Sequence, residues 1–282
     1  MDTLFDLASL RQVISQWKKE GRKIAFVPTM GNLHAGHLSL LKHAHSLGDR
    51  TIMSIFVNPI QFGENEDYQS YPDTLEQDSK TLKENSLDVL FAPDLKEMYP
   101  GGMNVDTRLT VPGLSSILCG EFRPDHFSGV ATVVTKLFIN IEPDYALFGE
   151  KDYQQLLIIR RTVEDLCFPV EVIGMPVVRE EDGLAMSSRN SYLDEEQRKI
   201  APLIYQTLTS AAELLSKNLA DISAIESEGL NQLESAGFKP EYFSIRRSSD
   251  LIPAGPDDKE VSILTAVWLG SARLIDNIKV AL

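Results

Sequence analysis

Short apolar runs alternate with amphipathic segments along the first 178 residues of the chain. Ile24–Val27 is a continuous apolar run, typical of a buried strand, whereas Leu10–Glu20 has apolar residues three and four apart, typical of a helix. The apolar runs predict strands at Ile24–Val27, Thr51–Val57, Leu87–Phe91, Tyr145–Phe148 and Val170–Val178. The amphipathic segments predict helices at Leu10–Glu20, Leu38–Leu47, Thr74–Lys83, Val130–Ile141 and Tyr153–Leu166. Buried strands that alternate with helices indicate an α/β fold with a mostly parallel sheet.

The order of the predicted elements changes after residue 178. Two helices come first, Asp194–Leu215 and Asp221–Ala236, and three strands follow at Tyr242–Ile245, Glu260–Leu269 and Arg273–Ile278, the last two joined by a hairpin turn at Gly270-Ser271. Helices followed by a group of strands are typical of a separate α+β domain. We therefore expect a larger domain at 1–178 and a smaller one at 179–282.

Composition narrows the class of protein. The chain has 282 residues, of which 43% are hydrophobic, enough to bury a substantial core. No apolar run reaches the roughly 20 residues that cross a bilayer. Residues 1–10 lack the basic start of a secretory signal, and two cysteines are too few for a disulfide framework. We therefore expect a cytoplasmic protein that does not associate with a membrane.

The net charge of −14 comes from 27 basic and 41 acidic residues. A general nucleic-acid binder needs a basic face that displaces counterions from phosphates, so we expect no nucleic-acid partner. A small anionic substrate remains compatible with this charge, because a few cationic side chains in a cleft are enough to bind it.

The segment Pro28–His37 lies between the first buried strand and a predicted helix. Such a glycine-containing junction presents bare backbone N–H groups to a phosphate, and His34 and His37 would add hydrogen-bonding or cationic groups. Two other interpretations are a metal-binding pair and simple capping of the helix by the two rings. The absence of a third ligand at suitable spacing disfavours the metal. The position between strand and helix favours phosphate binding.

Two later segments also suit phosphate recognition. In Phe148–Gln155, Lys151 would stand at the positive end of a helix, where a lysine is unfavourable unless an anion is bound; a surface lysine is the alternative. Met186–Asn190 combines two serines with the fork-shaped guanidinium of Arg189, although this is also a common loop composition.

Neutral polar groups follow the second predicted strand. Asn58–Phe62 and Tyr71 supply amides and a phenol, which suit hydroxyl and carboxylate ligands as well as ordinary turn chemistry. His126 lies in a predicted loop and receives no role from the residues alone.

Taken together, these segments resemble the pantoate–β-alanine ligase (pantothenate synthetase) family. The matching segments occur in the family's order and spacing over most of the first 195 residues, at Pro28–His37, Phe56–Phe62, Phe148–Gln155 and Arg179–Asn190. His34–His37 and Met186–Arg189 also resemble the two signature loops of the wider nucleotidylyltransferase superfamily. The resemblance implies a Rossmann-like parallel sheet domain, a smaller C-terminal α+β lid domain and a homodimer.

The resemblance also implies a reaction. ATP, pantoate and β-alanine would give pantothenate, AMP and pyrophosphate through a pantoyl-adenylate, with Mg²⁺ as cofactor. A nucleotidylyltransferase without the amide-forming step and a non-catalytic nucleotide-binding regulator are the alternatives. A regulator has no need of His34, His37 and Lys151 together with Gln61 and Gln155, and a plain transferase would not be expected to carry the full set of pantoate-side motifs.

The family's functional residues carry over by position. His37 resembles the family's proton donor, and His34 and Lys151 would act with it on the phosphates. Pantoate and β-alanine would contact Gln61, Gln155, His126 and Tyr71. Asp78 would lie near the magnesium site, a surface carboxylate being the equal alternative. The residues expected to contact ATP are Met30, Gly31, Asn32, Leu33, His34, Ala35, Gly36, His37, Gly149, Glu150, Lys151, Asp152, Val178, Met186, Ser187, Ser188 and Arg189.

The chain departs from the family's usual pattern at two places. Asp73 stands where an arginine is usual, and Glu241–Arg247 is more basic than the corresponding stretch.

Overall fold

The computed structural model describes residues 1–63, 66–103, 105–216 and 221–282. They form two compact units, Met1–Glu150 with Ile158–Met175, and Lys151–Leu157 with Pro176–Leu282. The strands are β1 (Asp2–Leu4), β2 (Ile24–Thr29), β3 (Arg50–Ile55), β4 (Val89–Phe91), β5 (Tyr145–Gly149), β6 (Glu171–Met175), β7 (Lys239–Arg247), β8 (Glu260–Leu269) and β9 (Ala272–Ala281). The helices are α1 (Leu7–Lys19), α2 (Ala35–Leu47), α3 (Leu75–Glu84), α4 (Leu95–Met98), α5 (Cys119–Phe122), α6 (His126–Ile141), α7 (Tyr153–Asp165), α8 (Glu195–Ile200), α9 (Leu203–Ser216) and α10 (Ile222–Ser235).

The first unit is built on a six-stranded sheet in the order β1-β4-β3-β2-β5-β6, and all of its strand pairs are parallel. The apolar residues of β2 to β5 are almost completely buried, which confirms the predicted α/β class. From β2 the chain proceeds outward through β3 and β4, and then crosses to β5 and β6 on the other side. The carboxyl ends of β2 and β5 therefore flank the position where open parallel sheets bind ligands.

The elements of this unit differ from the sequence prediction at several places. Helix α1 begins at Leu7, because the carboxylate of Asp6 accepts the Ser9 N–H and caps it. Helix α6 begins at His126 instead of Val130, so His126 lies in a helix and the loop prediction was wrong. Strand β1 was not predicted, since three residues carry too little periodicity to be recognised.

The second unit contains an antiparallel sheet in the order β7-β8-β9. Apolar residues of α9 and α10 share one buried cluster with residues of these strands. The two-residue turn predicted between β8 and β9 is confirmed, and Gly270 adopts the positive φ of 59° that such a turn requires. These features confirm the smaller α+β fold.

The helix predicted at Asp194–Leu215 is in fact two helices, α8 and α9. Pro202 lies between them, and a proline lacks the N–H that would continue the helix. Asp194 caps α8 by accepting the Gln197 N–H at 2.8 Å. Within the described ranges, no helix combines the length and apolar character needed to cross a membrane.

Candidate active site

A buried carboxylate shapes the loop between β2 and α2. Asp78, only 3% exposed, accepts the N–H of Asn32 at 2.8 Å and that of Leu33 at 3.0 Å, and the Thr74 hydroxyl donates to it at 2.9 Å. Gly31 has a φ of +82°, and a Cβ there would lie 3.2 Å from an Asp78 oxygen. Glycine is therefore required at this turn, and Asp78 anchors the loop that follows it.

Asp78 is also the residue expected at the magnesium site. Both of its oxygens already accept donors from the protein. Among the residues that the structure describes, no three His, Cys, Asp or Glu side chains are grouped so that they could hold a metal. The carboxylate fits the role of loop anchor better than that of metal ligand, and its magnesium role stays a prediction.

The rings of His34 and His37 cap the first turn of α2. Nδ1 of His34 accepts the Gly36 N–H at 3.2 Å, and Nδ1 of His37 accepts the His34 N–H at 3.3 Å. A neutral imidazole whose Nδ1 accepts a hydrogen bond carries its own hydrogen on Nε2. Each ring therefore caps the helix with one nitrogen and provides an Nε2–H donor with the other. Capping and phosphate binding are thus compatible roles for these rings, whose centroids lie 4.1 Å apart.

The sequence predicted that the backbone N–H groups of Pro28–His37 are bare, but most of those between Gly31 and Gly36 are bonded within the protein. Those of Gly31, Asn32, Leu33, His34 and Gly36 all donate to acceptors within the protein. The expectation of bare N–H groups was wrong for these five residues, because side-chain acceptors satisfy them. The imidazole Nε2–H groups are the better candidates for phosphate donors.

Gln61 lies in a short turn after β3 and is 8% exposed. Its Oε1 accepts a hydrogen bond from Asn58 at 3.2 Å, and its Nε2 lies 3.1 Å from the sulfur of Met30. The structure thus brings two predicted site residues, Gln61 and Met30, into contact. Tyr71 lies close by in the same unit, with its ring edge-on to that of Phe62 at 5.8 Å.

His126 supports the turn that carries Gln61. Its Nδ1 lies 2.7 Å from the carbonyl oxygen of Gln61, and its Nε2 lies 3.0 Å from the guanidinium of Arg123. A carbonyl oxygen only accepts and a guanidinium only donates, so Nδ1 carries the hydrogen and Nε2 accepts. Arg123 is in turn ion-paired with Glu66. The substrate-binding role of His126 stays a prediction, and the structure gives the ring a supporting one.

In the second unit, the backbone at Lys151 is bound to β9. The Asn277 side-chain amide donates to the Lys151 carbonyl at 2.9 Å. The Lys151 side chain is 18% exposed, and its Nζ lies 4.0 Å from a carboxylate oxygen of Asp152. Gln155 is half-buried on α7, one turn farther along the chain. Lys151 therefore has a mostly buried side chain and a backbone that is held by β9.

A buried ion pair that sequence reasoning missed lies next to these residues. The guanidinium of Arg179 donates to both oxygens of Asp276, at 2.6 and 3.0 Å, and stacks 3.8 Å from the ring centroid of Tyr205. Burial raises the pKa of the Asp276 carboxyl, although the guanidinium opposes the shift. Asp276 occupies the same alternate positions of β9 as the buried Ala272 and Leu274, a signal that could have marked this carboxylate as buried, although not its partner.

The segment expected to meet the triphosphate from this unit begins at Met186. Its N–H donates to the Val178 carbonyl at 2.9 Å, and the Ser187 hydroxyl accepts the Arg189 N–H at 3.3 Å. Ser187 and Lys151 line one cavity of about 10 Å³, roughly the volume of a single water molecule. Two segments predicted to bind ATP are thus neighbours within this unit.

Comparison with known proteins gives one consistent result. The family model described as pantoate-beta-alanine ligase matches residues 2–279. A pantothenate synthetase from Pseudomonas putida is 51% identical over 100% of this chain and 98% of its own length, and one from Pseudomonas aeruginosa is 50% identical over 100% of both chains.

Solved structures agree with these sequence matches. The structure of pantothenate synthetase from Thermus thermophilus matches with a TM-score of 0.92 and 44% identity, over 99% of both chains. A pantoate-beta-alanine ligase from Francisella tularensis, complexed with beta-gamma ATP and beta-alanine, matches with a TM-score of 0.82 and 37% identity, over 99% of this chain and 97% of its own. The chain therefore belongs to the pantoate-beta-alanine ligase family and is a ligase that joins pantoate to β-alanine.

Proposed function

We propose that the chain performs this ligation in two steps, an in-line attack at phosphorus and an acyl transfer, and releases AMP and pyrophosphate. A carboxylate oxygen of pantoate bonds to the α-phosphorus of ATP while the bond to pyrophosphate breaks, which gives pantoyl-adenylate. The amine of β-alanine then bonds to the acyl carbon, loses a proton, and displaces AMP. The match of the family model to residues 2–279 carries this proposal.

Activation is needed because a free carboxylate is a poor acyl donor, whereas AMP is a good leaving group. Phosphoryl transfer of this kind depends on positioning and charge neutralisation and needs no covalent nucleophile from the protein. The contribution of the protein is therefore to hold the reacting groups in line and to offset the charge that develops on the phosphates.

We assign the phosphate contacts to side chains of known hydrogen-bonding polarity. The Nε2–H groups of His34 and His37 donate to phosphate oxygens, because the Nδ1 atoms accept hydrogen bonds from the backbone and the ring hydrogen is then on Nε2. Lys151 supplies a positive charge to the same phosphates. ATP is also contacted by Met30–Gly36, by Gly149–Asp152, by Val178 and by Met186–Arg189. Donors aimed at oxygens where charge accumulates lower the barrier directly.

Pantoate and β-alanine bind through neutral polar groups. Gln61 and Gln155 bind pantoate, with Tyr71 and His126 near the substrates and Gln61 also near β-alanine. The F. tularensis relative, complexed with beta-gamma ATP and beta-alanine, supports the choice of two of the three substrates. Mg²⁺ enters with the ATP phosphates, and Asp78 is the carboxylate expected near it. By family resemblance, the protein acts as a homodimer in the cytoplasm.

Product analysis tests this reaction. Purified protein with ATP, Mg²⁺, pantoate and β-alanine is expected to form AMP and pantothenate in equal amounts. Without β-alanine, AMP release stops and pantoyl-adenylate becomes detectable by mass spectrometry. Formation of ADP instead of AMP would contradict the proposal, and AMP release that needs neither pantoate nor β-alanine would favour a different activity.

A further inference from the structure

A chain of buried hydrogen bonds leads from Gln61 into the core of the first unit. The hydroxyl of Tyr99 donates to Oδ1 of Asn58 at 2.9 Å, and Nδ2 of Asn58 donates to Oε1 of Gln61 at 3.2 Å and to the Gly129 carbonyl at 3.1 Å. Tyr99 is 2% exposed and Asn58 1% exposed. The roles assigned above do not include Tyr99, although it begins this chain of hydrogen bonds.

The Gly129 carbonyl sets the polarity of this chain of hydrogen bonds, because a carbonyl oxygen only accepts and Nδ2 of Asn58 must face it. Oδ1 of Asn58 then faces the Tyr99 hydroxyl, whose pKa is raised by burial and which keeps the hydrogen that it donates. Asn58 must then accept with Oδ1, and both hydrogens of its Nδ2 are used by Gln61 and Gly129. Gln61 in turn accepts with Oε1, which leaves its Nε2 as the end of the amide that carries donors.

The backbone of Gln61 is held by other contacts. His126 donates to its carbonyl oxygen at 2.7 Å. Gly129 of α6 packs so closely that a Cβ there would lie 2.8 Å from the Gln61 nitrogen. Neither contact depends on Tyr99. Loss of the Tyr99 hydroxyl should therefore leave the backbone in place and weaken only the hold on the side-chain amides, since Oδ1 of Asn58 loses its donor while the bond to the Gly129 carbonyl remains.

We propose that Tyr99 is a positioning residue for the ligase reaction, which acts through Asn58 to make Gln61 present its Nε2–H end to an oxygen of pantoate. The inference rests on the proposed role of Gln61 in binding pantoate. A carboxylate or hydroxyl oxygen of pantoate accepts a hydrogen bond from this end. The opposite amide orientation would place the Gln61 oxygen against a ligand oxygen, which repels it.

The test is Tyr99→Phe, measured alone and combined with Gln61→Ala. The single variant is expected to raise the KM for pantoate about tenfold, since one misdirected hydrogen bond has about that effect, and to leave the KM for ATP within about twofold of the original value. In the Gln61→Ala background, Tyr99→Phe should have no further effect on pantoate, because residues that act through one another are not additive.

Ser262→Ala is the matched control for stability. Ser262 lies in the second unit and is fully buried, and its hydroxyl shares a hydrogen bond of 2.9 Å with that of Ser248. The alanine substitution removes this one bond. Ser262→Ala should lower the unfolding free energy about as much as Tyr99→Phe does. Unlike Tyr99→Phe, it should leave the KM for pantoate unchanged. If Gln61→Ala binds pantoate normally, the proposed role of Gln61 fails. If Gln61→Ala is impaired while Tyr99→Phe is normal, or if the two effects add, the positioning role of Tyr99 is overturned.

Discussion

His37→Asn is expected to lower kcat by about 10²- to 10³-fold, the typical cost of removing one donor to a transition-state oxygen. Asparagine places an oxygen close to the position of Nδ1, so the bond from the His34 N–H and the cap on α2 are kept. It has no group at the position of Nε2. The variant therefore removes the proposed phosphate donor while it preserves the local fold.

His37→Gln is the complementary substitution, because its amide nitrogen reaches the position of Nε2 but leaves the cap unfilled. We expect it to retain more activity than His37→Asn and to be less stable. His45→Asn serves as the control on the same helix, since that exposed ring contacts the Asn85 carbonyl, and it should have the original kcat. If His37→Asn is as active as His37→Gln, or more active, then His37 does not donate to a phosphate through an Nε2–H group. Steady-state kinetics and thermal melts distinguish these outcomes.

Asp276→Ala is expected to lower the unfolding free energy of the second unit by about 3–5 kcal/mol, because it leaves the Arg179 guanidinium with a charge that is mostly buried and no longer paired. The pair is bidentate, and Asp276 is almost fully buried whereas Arg179 has a side-chain exposure of 17%. Activity should fall as well, since the neighbouring Asn277 holds the Lys151 backbone.

Trp268 lies in β8 and reports on the second unit by fluorescence. The chain has two tryptophans, so a Trp17→Phe background isolates this signal during urea unfolding. Glu196→Ala is the control, because it removes an exposed ion pair with Lys199 in α8 and should change stability by no more than about 0.5 kcal/mol. A loss below about 1 kcal/mol for Asp276→Ala would show that the pair contributes little to this unit.

Local patterns were enough to predict most of the fold. Each central strand of the first unit is a short apolar run because it is buried on both faces, so its position can be read without a structure. The start of α2 was predicted three residues too late, since His34 caps this helix and histidine is not a usual cap. Pro202 was an available signal for the break between α8 and α9, but the apolar periodicity on both sides concealed it.

The candidate site was predictable at the level of segments and only partly at the level of contacts. The junction after β2 was recognised from its glycines and histidines. The side chain that satisfies its backbone, Asp78, lies more than 40 residues away in sequence. The same holds for Arg179 and Asp276, which are 97 residues apart. Such pairings depend on how the chain folds back on itself, and no local pattern encodes them.

Isotope transfer from pantoate to AMP tests the central claim most directly. Pantoate labelled with ¹⁸O in both carboxylate oxygens is supplied with ATP, Mg²⁺ and β-alanine, and the masses of the products are measured by mass spectrometry. If the carboxylate attacks the α-phosphorus, each AMP carries one ¹⁸O and each pantothenate retains one. Unlabelled AMP, or label in inorganic phosphate together with ADP, would contradict activation through pantoyl-adenylate.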